Sequence, residues 1–447
     1  MPWLQVRGLR VRCARLLDRL RHPGGGPRPG VQPGQECRGR RFSRHRTPQP
    51  VCPARGMGAV SGLRRSAGRR GRGFVRRGGS ALGGDRRGFR RRRAAARRAR
   101  GRVPLRMSLR AARPVVVLMG GRSGEREVSL GSGAAVLAAL ASSGPRAVQP
   151  VEITGDGRWR WETGEGNPAE ALAALPACAV FFLALHGGEG EDGTLQGLLS
   201  ACGRTYTGSG VGASALCMDK AATRGVLAEA GLAVAPGVRT SPREWDAHGG
   251  AVLDRLQSME AAGWFVKPNA GGSSLGVRRI VEADELGAAI TALLADGEAV
   301  LVEALVEGCE ASCPVLGNPG GPLRALDPVE IVPSAAGFFD YTEKYDERGG
   351  AREIVPPTGL SRATCERLRE LALRAHEVTG CAGTSRTDFI VPKTDASEGE
   401  PVVLEVNTLP GLTPRSLLPQ SAAAGGLGFA ELCEELVALA IACEERR

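Results

Sequence analysis

The stretch that most constrains the fold of this chain runs from residue 385 to residue 414 and predicts two strands with polar groups on one face. Arg386 and Asp388 stand two residues apart in the first apolar run, so their side chains point the same way in an extended chain. Glu405 and Asn407 repeat that spacing in the second run, and the polar segment between the runs predicts a hairpin loop. We therefore expect four polar groups to lie together on one face of a sheet.

These four side chains form a candidate cation site. Two neighbouring carboxylates are costly to bury unless a cation or a guanidinium compensates them. Carboxylate and amide oxygens suit Mg²⁺, which is commonly held by one or two carboxylates together with nucleotide phosphates. A surface hairpin with a scattered salt bridge is the alternative. The turn after Asn407, residues 408–414, breaks both periodicities and favours a place where a substrate approaches the backbone.

The charge of the chain is divided between a basic tail and an acidic body. Residues 1–106 hold 31 Arg, no Lys and 3 acidic residues, a net charge of +28, although the whole chain carries only +13. The rest of the chain therefore carries −15. The tail is rich in Arg, Gly and Pro and has no apolar period, so we expect a disordered extension.

Three origins of this extension stay open. It is a nucleic-acid-binding arm, an Arg-rich targeting leader, or upstream sequence translated from a start codon set too early, with Met107 as the first residue. The absence of lysine favours the last, because GC-driven codon usage produces it without selection for a cationic arm. The negative body should repel phosphate polymers, so we expect no nucleic-acid partner for it.

Neither a membrane span nor a disulfide framework is expected. No apolar run reaches about 18 residues. Nine of the 12 cysteines lie beyond residue 106, and they show no CxxC pairing of the kind that binds zinc. Scattered cysteines at apolar positions are typical of a reducing cytoplasm, which is the expected location.

From residue 107 onward the sequence predicts an α/β chain. Residues 114–119 form an apolar, β-branched run that predicts the buried first strand of an open sheet, and a glycine turn leads from it into a helix. Glu125 in this turn either complements the helix dipole or belongs to a site. Residues 179–185 predict a second buried strand, which ends at His186. A histidine there is commonly structural, but the acidic, glycine-dense loop beside it favours a site.

Lysine is scarce enough to be informative. The chain contains four lysines against 56 arginines, at positions 220, 267, 344 and 393. Where arginine is used so widely, the remaining lysines are candidates for positions that need a compact ammonium. Lys267 ends a predicted strand before a loop of Gly and Ser, residues 269–277, whose N–H groups suit phosphate oxygens. Lys344 lies in a long polar segment, residues 332–357, that predicts a functional lid or ω-loop.

Residues 300–310 predict a strand and a turn with three acidic residues, Glu303, Glu307 and Glu310. Any of the three could meet ribose hydroxyls or an adenine amine, although most exposed glutamates have no such role. Pro314 stands inside a predicted strand, which suggests an edge or a bulge there.

Together these motifs resemble the D-alanine–D-alanine ligases, ATP-grasp enzymes of peptidoglycan synthesis. The resemblance runs from about Pro114 to the C-terminus and includes none of the first 106 residues. The motifs that carry it are residues 121–129, Leu185-His186-Gly187, residues 191–197, residues 206–210, Met218-Asp219-Lys220, Val266-Lys267-Pro268, residues 272–276, Arg386-Thr387-Asp388 and residues 405–411.

The resemblance implies a three-domain ATP-grasp fold of the α/β (α+β) class. An N-terminal open parallel α/β sheet domain would be followed by two α+β subdomains that clasp ATP. The expected boundaries are residues 107–208 for the N-terminal domain, 209–303 for the central subdomain and 304–447 for the C-terminal subdomain with the metal site and the ω-loop.

The resemblance also implies roles for individual residues. ATP would be bound by Lys220, Lys267, Ser274, Glu303, Glu310 and Lys344. Two Mg²⁺ or Mn²⁺ ions would be held by Asp388, Glu405 and Asn407. The catalytic set would comprise Glu125, Ser273, Tyr345, Arg386, Gly411 and Ser416. The first D-alanine would lie near Glu125 and His186, and the second would be received by Gly411, Ser416 and Leu417.

The implied reaction joins two D-alanine molecules. ATP would convert the first into an acylphosphate, and the amine of the second would then attack, with release of ADP and phosphate. The alternative is an ATP-grasp ligase with another second substrate, such as D-lactate; Lys344-Tyr345 matches the dipeptide-forming branch. Relatives are commonly homodimers, which this sequence neither supports nor contradicts.

Overall fold

The computed structural model describes residues 113–259, 261–272, 276–333, 351–394 and 397–446. The predicted extension, residues 1–106, lies outside the described residues, as do Ser273, Ser274, Lys344 and Tyr345. The described chain forms three β-sheets with helices packed against them. No helix in the described ranges is long and apolar enough to cross a membrane.

The first sheet has six strands in the order β4-β3-β2-β1-β5-β6. Its strands are β1 (Val115–Gly120), β2 (Val148–Ile153), β3 (Trp159–Trp161), β4 (Gly164–Gly166), β5 (Val180–Leu183) and β6 (Thr205–Tyr206). β1 pairs in parallel with β2 and β5, and β5 pairs in parallel with β6, as the sequence predicts. β3 and β4 extend the sheet as an antiparallel edge, which the sequence analysis did not foresee. Every residue of β1 is buried, as expected for a strand covered on both faces.

Helices from two distant parts of the chain cover the first sheet. The local helices are α1 (Arg126–Ser142), α2 (Pro168–Ala174) and α3 (Thr194–Ala201). The last helix of the chain packs there too, because Leu432, Leu436 and Val437 share a core cluster with Val115 and Val117 of β1.

The second sheet is antiparallel, in the order β7-β10-β8-β9. Two helices precede it, α4 (Val211–Met218) and α5 (Lys220–Glu229), and both pack into the core of the third sheet. Its own elements are β7 (Gly237–Thr240), α6 (Pro242–Gln257), β8 (Trp264–Pro268), β9 (Arg278–Ile280), α7 (Leu286–Leu294) and β10 (Val300–Ala304). Val266 and Val302 pack into the core formed with α6 and α7. Because side chains alternate along a strand, Lys267 and Glu303 point to the opposite face. That face is the one turned toward the third sheet.

The third sheet follows the order β14-β13-β11-β15-β16, with β12 paired to β11. Its elements are β11 (Gly308–Gly317), β12 (Leu323–Ala325), β13 (Val329–Val332), β14 (Arg352–Ile354), α8 (Arg362–Val378), β15 (Gly383–Pro392), β16 (Val402–Asn407), α9 (Leu417–Ala424) and α10 (Phe429–Glu444). Leu368, Leu371 and Ala375 of α8 pack beneath the sheet against Phe389 and Val406.

Pro314 lies in a central strand, not on an edge. β11 pairs with β15 over its whole length. On its other side it pairs with β13 up to Ser312 and with β12 from Val315 onward. Pro314 occupies the gap between these two pairings, where its missing N–H leaves no ladder bond unmade.

Candidate active site

The hairpin expected from the sequence is present, and it brings the four polar side chains together. Arg386 lies opposite Asn407, and Asp388 lies opposite Glu405. Arg386 donates two hydrogen bonds to Asp388, from Nε to Oδ1 at 2.8 Å and from Nη2 to Oδ2 at 2.7 Å. Asn407 Nδ2 lies 3.0 Å from Asp388 Oδ2. The register shifts after Asp388, so the pairing becomes irregular directly beside the polar group.

Asp388 is also supported from the neighbouring strand. Ser312 of β11 lies directly opposite Asp388 and donates to its Oδ1 at 2.6 Å. Burial lowers the pKa of Arg386, but the charge and hydrogen bonds of Asp388, together with the charges of Glu405 and Glu191, outweigh burial and raise it above its usual value. The guanidinium is therefore a permanent positive charge at the centre of the hairpin.

A cleft separates the hairpin from the second sheet. Its charged lining comprises Lys220, Lys267, Glu303, Glu310, Asp388 and Glu405. Its apolar lining includes Ala235, Phe265, Val306, Ile390 and Leu404. Six of the residues selected from the sequence thus share one cleft with flat apolar walls and charged groups of both signs.

Both lysines of the cleft are paired with acids. Lys267 Nζ lies 2.5 Å from Glu303 Oε2, and Arg224 Nε lies 2.9 Å from Glu303 Oε1. Glu303 is only 3% exposed, so two cations compensate one buried carboxylate. Lys220 Nζ lies 3.2 Å from Glu405 Oε2, which joins the start of α5 to the hairpin.

Asn269 holds the start of α5 against the Gly/Ser loop. Lys220 N donates to the Asn269 carbonyl at 3.0 Å, and Ala221 N donates to Asn269 Oδ1 at 3.0 Å. Lys220 Nζ also donates to the carbonyl of Gly271 at 2.6 Å. The position of this lysine therefore depends on the backbone of the loop.

Glu125 approaches the site from the first sheet. It precedes α1, but its side chain makes no capping hydrogen bond. A Cβ atom on Gly187 would lie 2.6 Å from Glu125 Oε2, and one on Gly272 would lie 3.2 Å from it. The carboxylate therefore lies between the loop after β5 and the start of the Gly/Ser loop, which favours a site role over a purely helix-dipole role.

His186 is buried beside Glu125's loop. Its Nε2 atom lies 2.9 Å from Ser132 Oγ of α1, and its Nδ1 atom lies 3.8 Å from Glu191 Oε1. Ser123 Oγ donates to its carbonyl at 2.5 Å. The hydrogen bond at Nε2 fixes the ring against α1, and Nδ1 faces the acidic loop.

The turn after the hairpin leads to Ser416, the N-cap residue of α9. Ser416 Oγ lies 2.8 Å from Thr413 Oγ1 and accepts a hydrogen bond from Thr413 N at 3.1 Å. A Cβ atom on Gly411 would lie 2.6 Å from Ser416 Oγ, so Gly411 and Ser416 are packed against each other. Leu417 begins α9 and is partly exposed.

The hairpin fits a divalent cation by its donor chemistry. Asp388 and Glu405 offer carboxylate oxygens, and the Asn407 amide can present its oxygen after a flip, since its O and N atoms are assigned from hydrogen bonding. No group of three or more His, Cys, Asp or Glu suited to a metal occurs among the described residues. Two carboxylates and an amide suit ions that complete their coordination with phosphates.

Several supporting residues escaped the sequence analysis. Arg224 stands four residues after Lys220, one helical turn along α5, so that spacing was a usable signal. Ser312 meets Asp388 only through the strand register, and no sequence signal marks it. The four site candidates outside the described residues, Ser273, Ser274, Lys344 and Tyr345, stay predictions.

The fold and the cleft define an ATP-grasp ligase: two antiparallel sheets enclose a cleft that holds two lysines and the paired carboxylates of the hairpin. Comparison with known families is specific. Residues 114–209 match the family described as D-ala D-ala ligase N-terminus, and residues 226–438 match D-ala D-ala ligase C-terminus. The chain belongs to the D-alanine–D-alanine ligase family.

Individual relatives agree with this assignment. The chain is 42% identical to a D-alanine–D-alanine ligase of Gluconobacter oxydans over 73% of its own length and 99% of that protein. It is 43% identical to one of Desulforudis audaxviator, over 73% and 98%. Among solved structures, the VanG D-Ala:D-Ser ligase of Enterococcus faecalis matches with a TM-score of 0.63 and 30% identity, over 74% of this chain and 99% of that one. The D-alanine–D-alanine ligase of Coxiella burnetii matches with a TM-score of 0.62 and 28% identity, over 75% and 96%.

Proposed function

We propose that this chain joins two D-alanine molecules into D-alanyl-D-alanine at the expense of ATP. The observation that carries the proposal is the hairpin of Arg386, Asp388, Glu405 and Asn407, whose two carboxylates share one cleft with Lys220 and Lys267. The relatives at 42–43% identity bear the same activity in their names. They do not favour the alternative second substrate, D-lactate.

The cleft is suited to a nucleotide. Phe265, Ile390 and Leu404 offer apolar walls for a base. In the proposed complex the ammonium groups of Lys220 and Lys267 move from their acid partners to the phosphates, which Lys220 can do while the loop backbone at Gly271 still guides it. Glu303 and Glu310 would then contact the adenine and ribose of ATP.

We propose that Asp388, Glu405 and Asn407 hold two Mg²⁺ or Mn²⁺ ions. Bound there, these ions would offset the charge that gathers on the phosphates during transfer. Ser312 keeps Asp388 oriented throughout, because its hydroxyl occupies only Oδ1.

The first D-alanine would lie between the first sheet and the hairpin. Glu125 would bind its ammonium, with His186 nearby, and Arg386 would bind its carboxylate, the group that becomes phosphorylated. Arg386 would then stabilise the tetrahedral oxyanion together with the backbone at Gly411, the kind of help that is worth about 3–4 kcal/mol per donor in other acyl-transfer sites. Ser273 and Tyr345 would complete a hydrogen-bonded link with Glu125.

The second D-alanine would place its carboxylate at the start of α9, against Ser416 and Leu417. Backbone N–H groups at a helix start favour an anion. Its amine would then face the acylphosphate carbon.

We further propose that the enzyme works in the cytoplasm. The nine cysteines in the described ranges carry free thiols, which supports a reducing cytoplasm. A homodimer and the domain boundaries at residues 208 and 303 stay predictions.

The proposed function is tested by phosphate release from Mg·ATP with D-alanine, L-alanine, or D-alanine plus D-lactate, with products identified by mass. We expect release that requires D-alanine and yields the dipeptide even when D-lactate is present. Release with L-alanine alone, or none with D-alanine, would rule the proposal out.

A further inference from the structure

A half-buried carboxylate, Glu353, lies on the active face of the third sheet without a role in the reaction as described. In β14 it is opposite Ile331, which pairs in turn with Glu310. Glu310 is opposite Ile390 of β15. Directly opposed residues share a face of a sheet, and Ile390 shares its face with Arg386, four residues earlier. Glu353 therefore projects from the face that carries the catalytic guanidinium.

A side chain of α9 holds this carboxylate. Gln420 donates from Nε2 to the Glu353 carboxylate and also to the carbonyl of Arg415, the latter at 2.6 Å. α9 is the helix whose first residues, Ser416 and Leu417, are assigned to the carboxylate of the second D-alanine. One helix thus positions both Glu353 and the proposed anion end of that substrate.

The surroundings of Glu353 suit its carboxylate to binding an ammonium group and accepting a proton from it. Burial raises the pKa of its carboxyl, whereas the Gln420 hydrogen bond and the positive charge of Arg386 lower it, and burial prevails. Arg386 is close enough to act on Glu353, so the carboxylate lies near the point where the acyl group is proposed to be held. A raised carboxyl pKa makes proton transfer from an amine less unfavourable.

We propose that Glu353 binds the ammonium of the second D-alanine and accepts its proton during attack. This inference rests on the proposed function and adds the group that activates the nucleophile. The ammonium transfers one proton to the Glu353 carboxylate, and the nitrogen lone pair forms the C–N bond. The C–O bond to phosphate then breaks, phosphate leaves with the electron pair and takes the second nitrogen proton, and the amide keeps the third.

The same assignment accounts for preference for an amine over a hydroxy acid. A zwitterion presents its carboxylate to the start of α9 and its ammonium to Glu353, so both ends meet opposite charge. A hydroxy acid such as lactate has no ammonium group, so it would leave the Glu353 carboxylate without a cation.

The test separates acyl activation from dipeptide formation. With D-alanine, Mg·ATP and hydroxylamine, the full chain should form a hydroxamate, because uncharged hydroxylamine attacks the acylphosphate without a proton acceptor. For Glu353→Gln we expect hydroxamate within about twofold of the wild type, but kcat/KM for the second D-alanine lower by about 100-fold, the usual size of a general-base effect. Glu366→Gln, an exposed glutamate of α8 paired with Arg362, should change neither.

A second variant guards against misfolding. Gln420→Ala removes the partner but keeps the carboxylate, so we expect a smaller loss of dipeptide synthesis and an unchanged hydroxamate yield. Dipeptide synthesis by Glu353→Gln within twofold of the wild type would overturn the inference, as would a parallel loss of hydroxamate. If the wild type itself forms no hydroxamate from D-alanine, the proposed function fails, and the inference fails with it.

Discussion

Asp388 is held by donors from three strands. Arg386 shares β15 with it, Asn407 reaches it from β16, and Ser312 reaches it from β11. Three donors compensate the cost of burying a carboxylate, and they fix the orientation in which it would meet a cation. Asp388, which the sequence marks by its spacing from Arg386, is therefore held in a defined orientation.

His376 of α8 contacts β15 at Ser385, and it should make the stability of the fold depend on pH. It is fully buried in α8, with Nδ1 2.7 Å from Ser385 Oγ. Burial lowers the pKa of His376 from 6.5 to about 4, against a smaller opposing effect of the Gly317 backbone. The unfolded chain therefore binds more protons than the folded chain between these values. The stabilisation is complete above pH 6.5 and is lost as pH falls toward 4, by about 3 kcal/mol in all.

Chemical denaturation of wild type and His376→Gln from pH 7.5 to 4.5 checks this. The variant should lose less stability than the wild type across that range. His248→Gln, at an exposed position in α6, serves as the control. Equal pH slopes for wild type and His376→Gln would show that the buried imidazole is not responsible.

The sequence predicted site residues where the interacting side chains lie on the same strand or helix, and it missed those that meet only through strand pairing. Arg386 and Asp388 share a strand, so period-two spacing found them, and lysine scarcity found Lys220 and Lys267. Ser312 and Glu353 reach the site through strand registers that no local pattern encodes. Their positions became visible only with the pairing of β11 with β15 and of β14 with β13.

At the scale of elements, the turn between β16 and α9 combines close packing with function. Residues 408–416 carry the chain from the carboxylate hairpin to the helix proposed to receive the second substrate. Gly411 and Ser416 lie so close that a side chain at position 411 would collide with the serine. The sequence predicted a rigid turn here, but it could not predict which residues within the turn meet.

Gly411→Ala should therefore displace Ser416. Its Cβ atom would lie 2.6 Å from Ser416 Oγ and 3.1 Å from Ser416 Cβ. We expect kcat/KM for the second D-alanine to fall by about 10- to 100-fold, corresponding to about 1.4–2.7 kcal/mol, while acyl activation measured with hydroxylamine changes by a few-fold at most. Gly425→Ala at the end of α9, where the nearest atom would be 3.5 Å away, should be neutral. Similar losses in the two variants would contradict the packing argument.

At the scale of the whole molecule, α10 connects the last described segment of the chain to the first sheet. Its buried face shares one core cluster with β1 and β5 of the first sheet and with Leu316 of the third. Arg146 and Glu434, 2.7 Å apart, add an ion pair between the segment after α1 and α10. The sequence predicted an amphipathic helix here. Its partner Arg146 is more than 280 residues away in the chain, so no local sequence pattern could identify the contact.

Loss of this packing should destabilise the molecule substantially. Leu436 is 3% exposed within the cluster. Leu436→Ala should lower the free energy of unfolding by about 2–5 kcal/mol, since a buried leucine leaves a cavity behind. Ala438→Ser, on the exposed side of α10, should change it by less than about 0.5 kcal/mol. Denaturant unfolding followed by circular dichroism measures both, and equal values would mean that α10 does not support the fold.

The acylphosphate route is tested by following oxygen from the D-alanine carboxylate to the released phosphate. D-alanine labelled with ¹⁸O in its carboxylate is converted by the full chain with Mg·ATP, and the released phosphate is analysed by mass spectrometry. If the cleft transfers the phosphoryl group to the carboxylate of the first D-alanine, each dipeptide formed should deliver one ¹⁸O atom to phosphate. Dipeptide formation with unlabelled phosphate would contradict the acylphosphate route, and with it the roles assigned to Arg386 and the carboxylate hairpin.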